Sequence, residues 1–490
     1  MMGQWQKQTE LWVEPVNLGR RIPQDHLLRK INKALDLGFV RGQVAGFYGN
    51  NGNVSVDPVI IIKLMLLLFL DDVRSERELM RIVPLRLDYL WFLGYGLEDE
   101  IPNHSVLSKA RKRWGAEVFE GLFARSVEQC VEAGLVDGSK LYVDASLVAA
   151  NASRNSVIEV VVRREVSKLD EKAEEQDSGS GGSVNRKLRS TTDPDSTVVR
   201  HQNGKPTPSY KNHRALDDKA GVVTAVKTTT GAMDEASELF ELIERHERVT
   251  ASKTKVAVAD SRYGNTANLI ALAQRQIRAH VADLRSKLRN PRSQGIYAPE
   301  RFVYQSETDC YRCPAGEILS RHHFVAGRGY YEYRPKRGTC ARCSLRQFCT
   351  RDKNGRTLKR YAAQELLDKA RKQSHSSQAH SDRRRRQWFQ ERNFAEAAVQ
   401  HGFKRARWRG LWKQGIQDYL IAAIQNLRII ARRQKDLLVA LRRTLARWTH
   451  YRITPQLFLP TTHRSHLFTT QATAAIRLKY RPFEQQPVKS

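Results

Sequence analysis

The chain has 490 residues, and 83 Lys and Arg against 52 Asp and Glu leave a formal charge of +31. That length allows roughly two to four domains with a sizeable core, and that charge points to a polyanionic partner, nucleic acid before a membrane surface. The one strongly apolar run, VIIIKLMLLLFL (59–70), is too short to span a bilayer and contains Lys63. The opening MMGQWQKQTELWVEP lacks a signal-peptide core, so the expected location is the cytoplasm, at the nucleoid.

Residues 20–135 read as helical, with apolar residues three and four apart and breaks near Gly49–Asn53, Val83–Pro84 and Glu100–Pro102. Asp57-Pro58 reads as an N-cap with a first-turn proline, which makes the apolar run a buried core helix. Further on, a Trp/Tyr/Leu-rich stretch leads into a basic helix carrying Lys109, Arg111, Lys112 and Arg113. This is a helix-turn-helix-like unit for DNA contact, or else a solvated helix face. Cys130 stands alone in a helical pattern as a small buried hydrophobe.

A strand is expected over 140–146, where Leu141-Tyr142-Val143 ends on a lone Asp144 followed by small residues. A Gly/Ser- and charge-rich excursion (164–195) comes next, then strands at Thr197–His201 and Gly221–Thr228. Tyr210–His213 sits just before a strand, where Lys211 and His213 either meet a phosphate or cap a turn. An acidic helix (Asp234–Glu247), a strand (Lys255–Ala259), a further helix and a strand (His280–Leu284) complete a mixed sheet flanked by helices. The expected division is a helical region (1–135), an α/β core (136–302), a cysteine-rich insertion (303–350), a last part of the core (351–447) and a tail (448–490).

Two apolar runs therefore end in single carboxylates, Asp144 and Asp260. A carboxylate in a buried strand is costly unless its charge is compensated. Two of them on adjacent strands suit a hard divalent cation, and two such ions clamp both oxygens of a reacting phosphodiester. A helix packed beside the sheet would supply a third carboxylate. Five of the six cysteines cluster between Cys310 and Cys349. Cys310-x-x-Cys313 and Cys340-x-x-Cys343 have the spacing of a structural zinc ribbon, with Cys349 as an alternative ligand and His322-His323 as competitors. The run containing Lys404, Arg405, Arg407, Trp408 and Arg409 combines cations with an aromatic ring, a pattern for phosphate contacts that position DNA.

The sequence resembles the DDE transposases of bacterial insertion sequences, in the branch with a helical N-terminal domain and a cysteine-rich insertion. The resemblance rests on DPVIIIKLMLLLFL, SERELM, RLDYLWFLGYGL and PNHSVLSKAR, then YVDASLVAANAS, YKNHRALDD and VADSRYGN, and finally ERNFAEAAVQHGFKRARWRGLWKQGIQDYLIAAIQNL. It implies a ribonuclease H-like core in which Asp144, Asp260 and Glu391 hold two Mg²⁺ or Mn²⁺ ions. Glu391 follows from a family pattern resembling E-x-x-F-A-(D/E)-A-K-x-x-H-G, with Phe394, Ala395 and His401-Gly402 in register. Two positions depart from it: Ala398 stands where the family has Lys, and Gln387 where Arg is common. Glu396 is the alternative third acid, from a weak echo of a related Tyr-Arg-Glu signature. The implied activity is cleavage of double-stranded DNA at element ends and strand transfer into target DNA, by at least a homodimer. The alternatives are a catalytically inactive end-binding protein and a nuclease that cuts without joining.

Overall fold

The computed structural model describes residues 17–49, 55–159, 188–200, 204–283 and 295–450, without the side chains of 159 and 434–450. Residues 164–187 of the expected excursion, Leu284, and the tail from 451 lie outside them. The chain divides into two compact units, Met1–Lys435 and Asp436–Ser490; the first is described below.

Eight helices come first: α1 (Leu18–Arg21), α2 (Leu27–Ala34), α3 (Gly38–Val44), α4 (Pro58–Leu70), α5 (Glu76–Ile82), α6 (Leu87–Leu93), α7 (Ser105–Trp114) and α8 (Glu117–Glu132). Helix α4 starts as its sequence dictates, with Asp57 accepting the Val59 N–H and Pro58 in the first turn. Lys63 fits in this apolar helix because its ammonium reaches the Phe92 carbonyl at 2.7 Å and lies 4.9 Å from the Phe92 ring. No helix among the described residues is long and apolar enough to cross a membrane.

The main sheet is built from β1 (Lys140–Ala149), β2 (Val157–Glu159), β3 (Leu188–Ser190), β4 (Thr197–Val199), β5 (Thr207–Asp217), β6 (Val223–Thr230), β7 (Val256–Ala259) and β8 (Arg278–Val281). Its path runs β2-β3-β4-β5-β1-β7-β8, with β6 also paired to β5. Strand β1 is antiparallel to β5 and parallel to β7, and β7 is parallel to β8. One face carries α9 (Leu239–Thr250) and α10 (Thr266–Gln274); the other shares a continuous apolar cluster with the helical region.

Strand β5 differs from expectation. Tyr210–His213 lies inside a long buried strand, not ahead of one, and Asn212, His213 and Arg214 are completely buried. Tertiary partners override their polar character. Arg214 donates to Asn212 Oδ1 (2.7 Å), Asn393 Oδ1 (2.8 Å) and Gln425 Oε1 (2.7 Å), with the Phe394 and Phe403 rings 5.1 and 4.6 Å from its guanidinium.

The cysteine-rich segment extends further than the expected ribbon. It is a five-stranded antiparallel sheet of β9 (Val303–Gln305), β10 (Cys310–Arg312), β11 (Ile318–Val325), β12 (Tyr330–Pro335) and β13 (Leu358–Tyr361). The one-turn helix α11 (Arg346–Cys349) lies between β12 and β13; α12 (Gln364–Ser374), α13 (Ser377–Gln400) and α14 (Leu411–His450) follow.

Removing the Arg214 guanidinium strands three amide partners in the interior and leaves the nearby buried Asp418 without its counter-charge. Arg214→Ala is expected to lower unfolding stability by about 3–5 kcal/mol in urea titrations, with Arg214→Met no better than partly restored.

Candidate active site

Strands β1 and β7 pair only through Lys140–Tyr142 and Val256–Val258. Asp144 lies two residues beyond the last pair, and Asp260 directly follows β7. Both carboxylates thus stand where the sheet opens, the position at which α/β sheets hold ligands. Asp144 accepts from Arg386 Nη1 (2.8 Å) and from the Ala145 N–H (2.9 Å). Burial nevertheless pushes its carboxyl up to about 6, against Arg386 and the Ala145 N–H and assisted by the charges of Asp260 and Glu235. Asp260 caps the turn Ser261–Tyr263 by accepting the Arg262 N–H at 2.9 Å.

Helix α13 lies against this opening through residues three and four apart, one face of a helix. Asp382 binds His280 Nδ1 (2.7 Å) and Lys140 (3.2 Å), Arg386 meets Asp144, Gln390 donates to the Tyr142 carbonyl (2.9 Å), and Asn393 accepts from Arg214. Glu391 is one position off that face; it is exposed and accepts from Gln387 Nε2 at 2.8 Å. Glu396 has a different environment, paired with Arg428 (3.1 Å) and Arg432 (3.0 Å) of α14.

The expected DNA-contact cations divide into two groups. Lys109, Lys112 and Arg113 are exposed on α7. Arg111 is a correction: it is buried, bonded to Glu76 and stacked 3.9 Å over the Trp408 ring, so it ties helices together. Arg407 is a second, held by Asp72 and the Val73 carbonyl over the Phe69 ring. Lys404, Arg405 and Arg409 are exposed. Lys404 donates to Ser146 Oγ at 2.7 Å, two residues beyond Asp144, because Lys404–Ala406 docks on Ala149 through two backbone hydrogen bonds.

Sequence reasoning did not single out Glu235, which is buried beside this site, or assign Arg386 its role as the counter-charge of Asp144. An acid in a helix's first turn is so common that DEASELF carries no distinguishing signal. Lys211 is occupied by the Met233 carbonyl (2.7 Å) and Glu235 (3.3 Å). His213 binds Thr229 Oγ1 at 2.8 Å, and burial pushes its pKa down to about 3, so it is a neutral core residue.

Among the cysteines, Cys313, Cys340, Cys343 and Cys349 line one small cavity. Cys310 is not part of it; its thiol is bonded to Gln305 Oε1 (3.3 Å) and Thr308 Oγ1 (3.0 Å). Among the described residues no three His, Cys, Asp or Glu side chains are drawn close enough to hold an ion together. The hard oxygens of Asp144 and Asp260 suit a divalent cation in type, and burial leaves the Asp144 charge only partly compensated by Arg386 and the Ala145 N–H.

Two family models match the chain: a transposase domain (DUF772) over residues 16–113 and a transposase DDE domain over 312–431. The first covers the α7 cations; the second covers four of the cysteines' cavity positions, Glu391 and the basic run, while Asp144 and Asp260 fall between them. No curated protein matches the chain.

The raised carboxyl of Asp144 gives a pH signature. The native state holds its proton up to about pH 6 and the unfolded chain only to about pH 4, so wild-type stability falls as pH rises between those values. In chelator, Asp144→Asn is expected to melt higher than wild type above pH 6, by up to about 2 kcal/mol, and the difference should vanish near pH 4 in melting scans.

Proposed function

As the chain belongs to the DDE transposases of insertion sequences, we propose that it cuts double-stranded DNA at the ends of its element and joins those ends to target DNA. The observation that carries this reading is the pair Asp144 and Asp260 at the opening between β1 and β7, under the helix that bears Glu391. The strand order β6-β5-β1-β7-β8, three antiparallel strands followed by two parallel to β1, supports a ribonuclease H-like core.

DDE transposases work with divalent metal ions. Asp144, Asp260 and Glu391 would hold Mg²⁺ or Mn²⁺, whose charge steadies the attacking and leaving oxygens of the phosphodiester. Glu391 is preferred to Glu396 because Arg428 and Arg432 already neutralise Glu396. Arg386 keeps Asp144 partly compensated, and Gln387, in the place of the family's Arg, steadies the Glu391 carboxylate. Lys404 beside Ser146, with Arg405 and Arg409, binds phosphates at the cleft, while Lys109, Lys112 and Arg113 extend the basic surface. Because two ends are processed together, the protein acts on DNA as at least a dimer, at the nucleoid.

The insertion is a structural zinc clip in this reading, and the ligands are Cys313, Cys340, Cys343 and Cys349. Their shared cavity and the electrostatic coupling of Cys349 to the other three support this set over one containing Cys310. Purified protein is expected to contain about one zinc ion per chain by elemental analysis, lost in Cys349→Ser and kept in Cys310→Ser.

The test of function is cleavage in Mg²⁺ of duplex DNA bearing the sequences that flank the gene. Wild type should cut at a defined position, and Asp260→Asn and Glu391→Gln should each lose about 1,000-fold or more. Glu396→Gln should cut but melt at lower temperature. Binding without cleavage by wild type would instead favour an inactive end-binding protein, with Ala398 the first position to restore to Lys.

A further inference from the structure

We infer that Arg262 is a DNA-phosphate contact beside Asp260 and that buried Glu235 is the residue that positions it. The inference rests on the cutting reading above and adds to it a second cationic wall of the cleft.

Glu235 opens the turn Glu235–Glu238 ahead of α9 and is only 7% exposed. Its carboxylate accepts from Arg262 Nη1 at 2.8 Å and lies 3.3 Å from Lys211 Nζ. Lys211 is itself fixed by the Met233 carbonyl, and Asn268 Nδ2 bridges the carbonyls of Ala236 (2.9 Å) and Tyr263 (3.0 Å). The turn bearing Glu235 and the turn bearing Arg262 are therefore locked together.

Charge explains why such an arrangement belongs here. A third carboxylate buried near Asp144 and Asp260 adds to the negative charge that opposes ionisation of Asp144. Its ion pairs with Arg262 and Lys211 offset that cost, and without them an approaching phosphodiester would meet a negative edge. Arg386, Arg262 and Lys211 balance the three acids, but they are not equivalent: Lys211 is buried and Arg386 is largely so, whereas the Arg262 side chain is 60% exposed. A guanidinium has five N–H donors. Glu235 takes one from the inner side and leaves the outer edge directed to solvent, the geometry in which arginine binds phosphate.

The turn after Asp260 also holds a buried polar group. The Tyr263 hydroxyl is fully buried with no hydrogen-bond partner among the described residues, and Glu235, Asp144 and Asp260 are the acids that act on it. Lys404 stands beside Ser146, two residues past Asp144, as Arg262 stands two residues past Asp260. A phosphate backbone laid across the two aspartates would be held from both sides.

The test uses the full chain and duplex DNA carrying the gene's flanking sequences. Binding is measured against KCl concentration and cleavage in single turnovers with Mg²⁺. Arg262→Ala should reduce the slope of log K against log salt by about 0.9 and slow cleavage roughly 10- to 100-fold, with Arg262→Lys recovering the slope but only part of the rate. Glu235→Gln should slow cleavage without changing the slope by more than Arg262→Ala does. The double variant should be no slower than Arg262→Ala alone, because Glu235 acts through Arg262. A wild-type slope in Arg262→Ala overturns the phosphate contact, and a double variant slowed by the product of the two single effects overturns the positioning role. If Glu235→Gln does not fold by circular dichroism, Glu235→Asp replaces it in the same cycle. If wild type binds but does not cut while Asp260→Asn behaves identically, the cutting reading fails, and the salt slope of Arg262→Ala still decides whether Arg262 touches phosphate.

Discussion

A guanidinium with no access to solvent governs how this core is assembled. Arg214 sits in the middle of β5, directly across from Asp144, and a pair in antiparallel register shares one face of the sheet. An ion in that position is tolerated only when its donors are matched. At Nε and Nη1 the matching groups come from its own strand (Asn212), from α13 (Asn393) and from α14 (Gln425), with Phe394 and Phe403 packed against its plane, while Nη2 has no hydrogen-bond partner among the described residues. The same charge that β5 cannot hydrate thus fixes the register of the helix carrying Glu391 relative to the strand carrying Asp144. The placement of Glu391 relative to Asp144 and the solvation of Arg214 are one problem with one solution.

Other cations are used in the same way at the joint between the helical region and the core. Arg407 reaches back to Asp72 and the end of α4, Arg111 stacks on Trp408, Trp408 packs edge-on against Phe69 at 5.5 Å, and His401 Nδ1 meets the Phe69 carbonyl at 2.9 Å. Arginine suits this work because its planar, weakly hydrated head packs on rings while it donates at its edge. A large positive charge is therefore not all footprint. Part of it is internal adhesive, and what remains outside on α7 and around Lys404 is what a polyanion meets.

Several parts of this arrangement were legible in the sequence. The capped apolar helix α4, the strands carrying Asp144 and leading into Asp260, and the basic helices after the insertion follow from periodicity and cap chemistry, although β1 runs on to Ala149. What was not legible has a common cause. Strand β5 is hidden because Lys211, Asn212, His213 and Arg214 look like a surface, and only tertiary partners, from Thr229 and Met233 to Asn393 and Gln425, make them an interior. Arg111 and Arg407 read as DNA contacts for the same reason, since an exposed cation and a buried one have the same letter. Glu235 looks like an ordinary first-turn acid until the fold places it beside Asp260. For the cysteines, spacing favours two C-x-x-C pairs, but β10 turns Cys310 toward Gln305 and Thr308 while α11 brings Cys349 to the other three.

The insertion itself bears on how robust the site is. A five-stranded sheet stands between β8 and the helix carrying Glu391, yet the contacts that hold that helix at the opening run from Asp382, Arg386, Gln390 and Asn393 to β1, β5 and β8. On the approach to α13, α12 is fastened to the end of β8 by Arg371 and Asp283 at 2.9 Å. None of these ties passes through the cysteine-rich sheet. The position of Glu391 is thus set by the core, and the insertion is free to vary without displacing it. Asp144 shows the converse. Burial opposes its charge, and among the described residues only Arg386 and the Ala145 N–H bond to it. A residue that breaks the local rules while everything around it obeys them is best accounted for by what the site must bind.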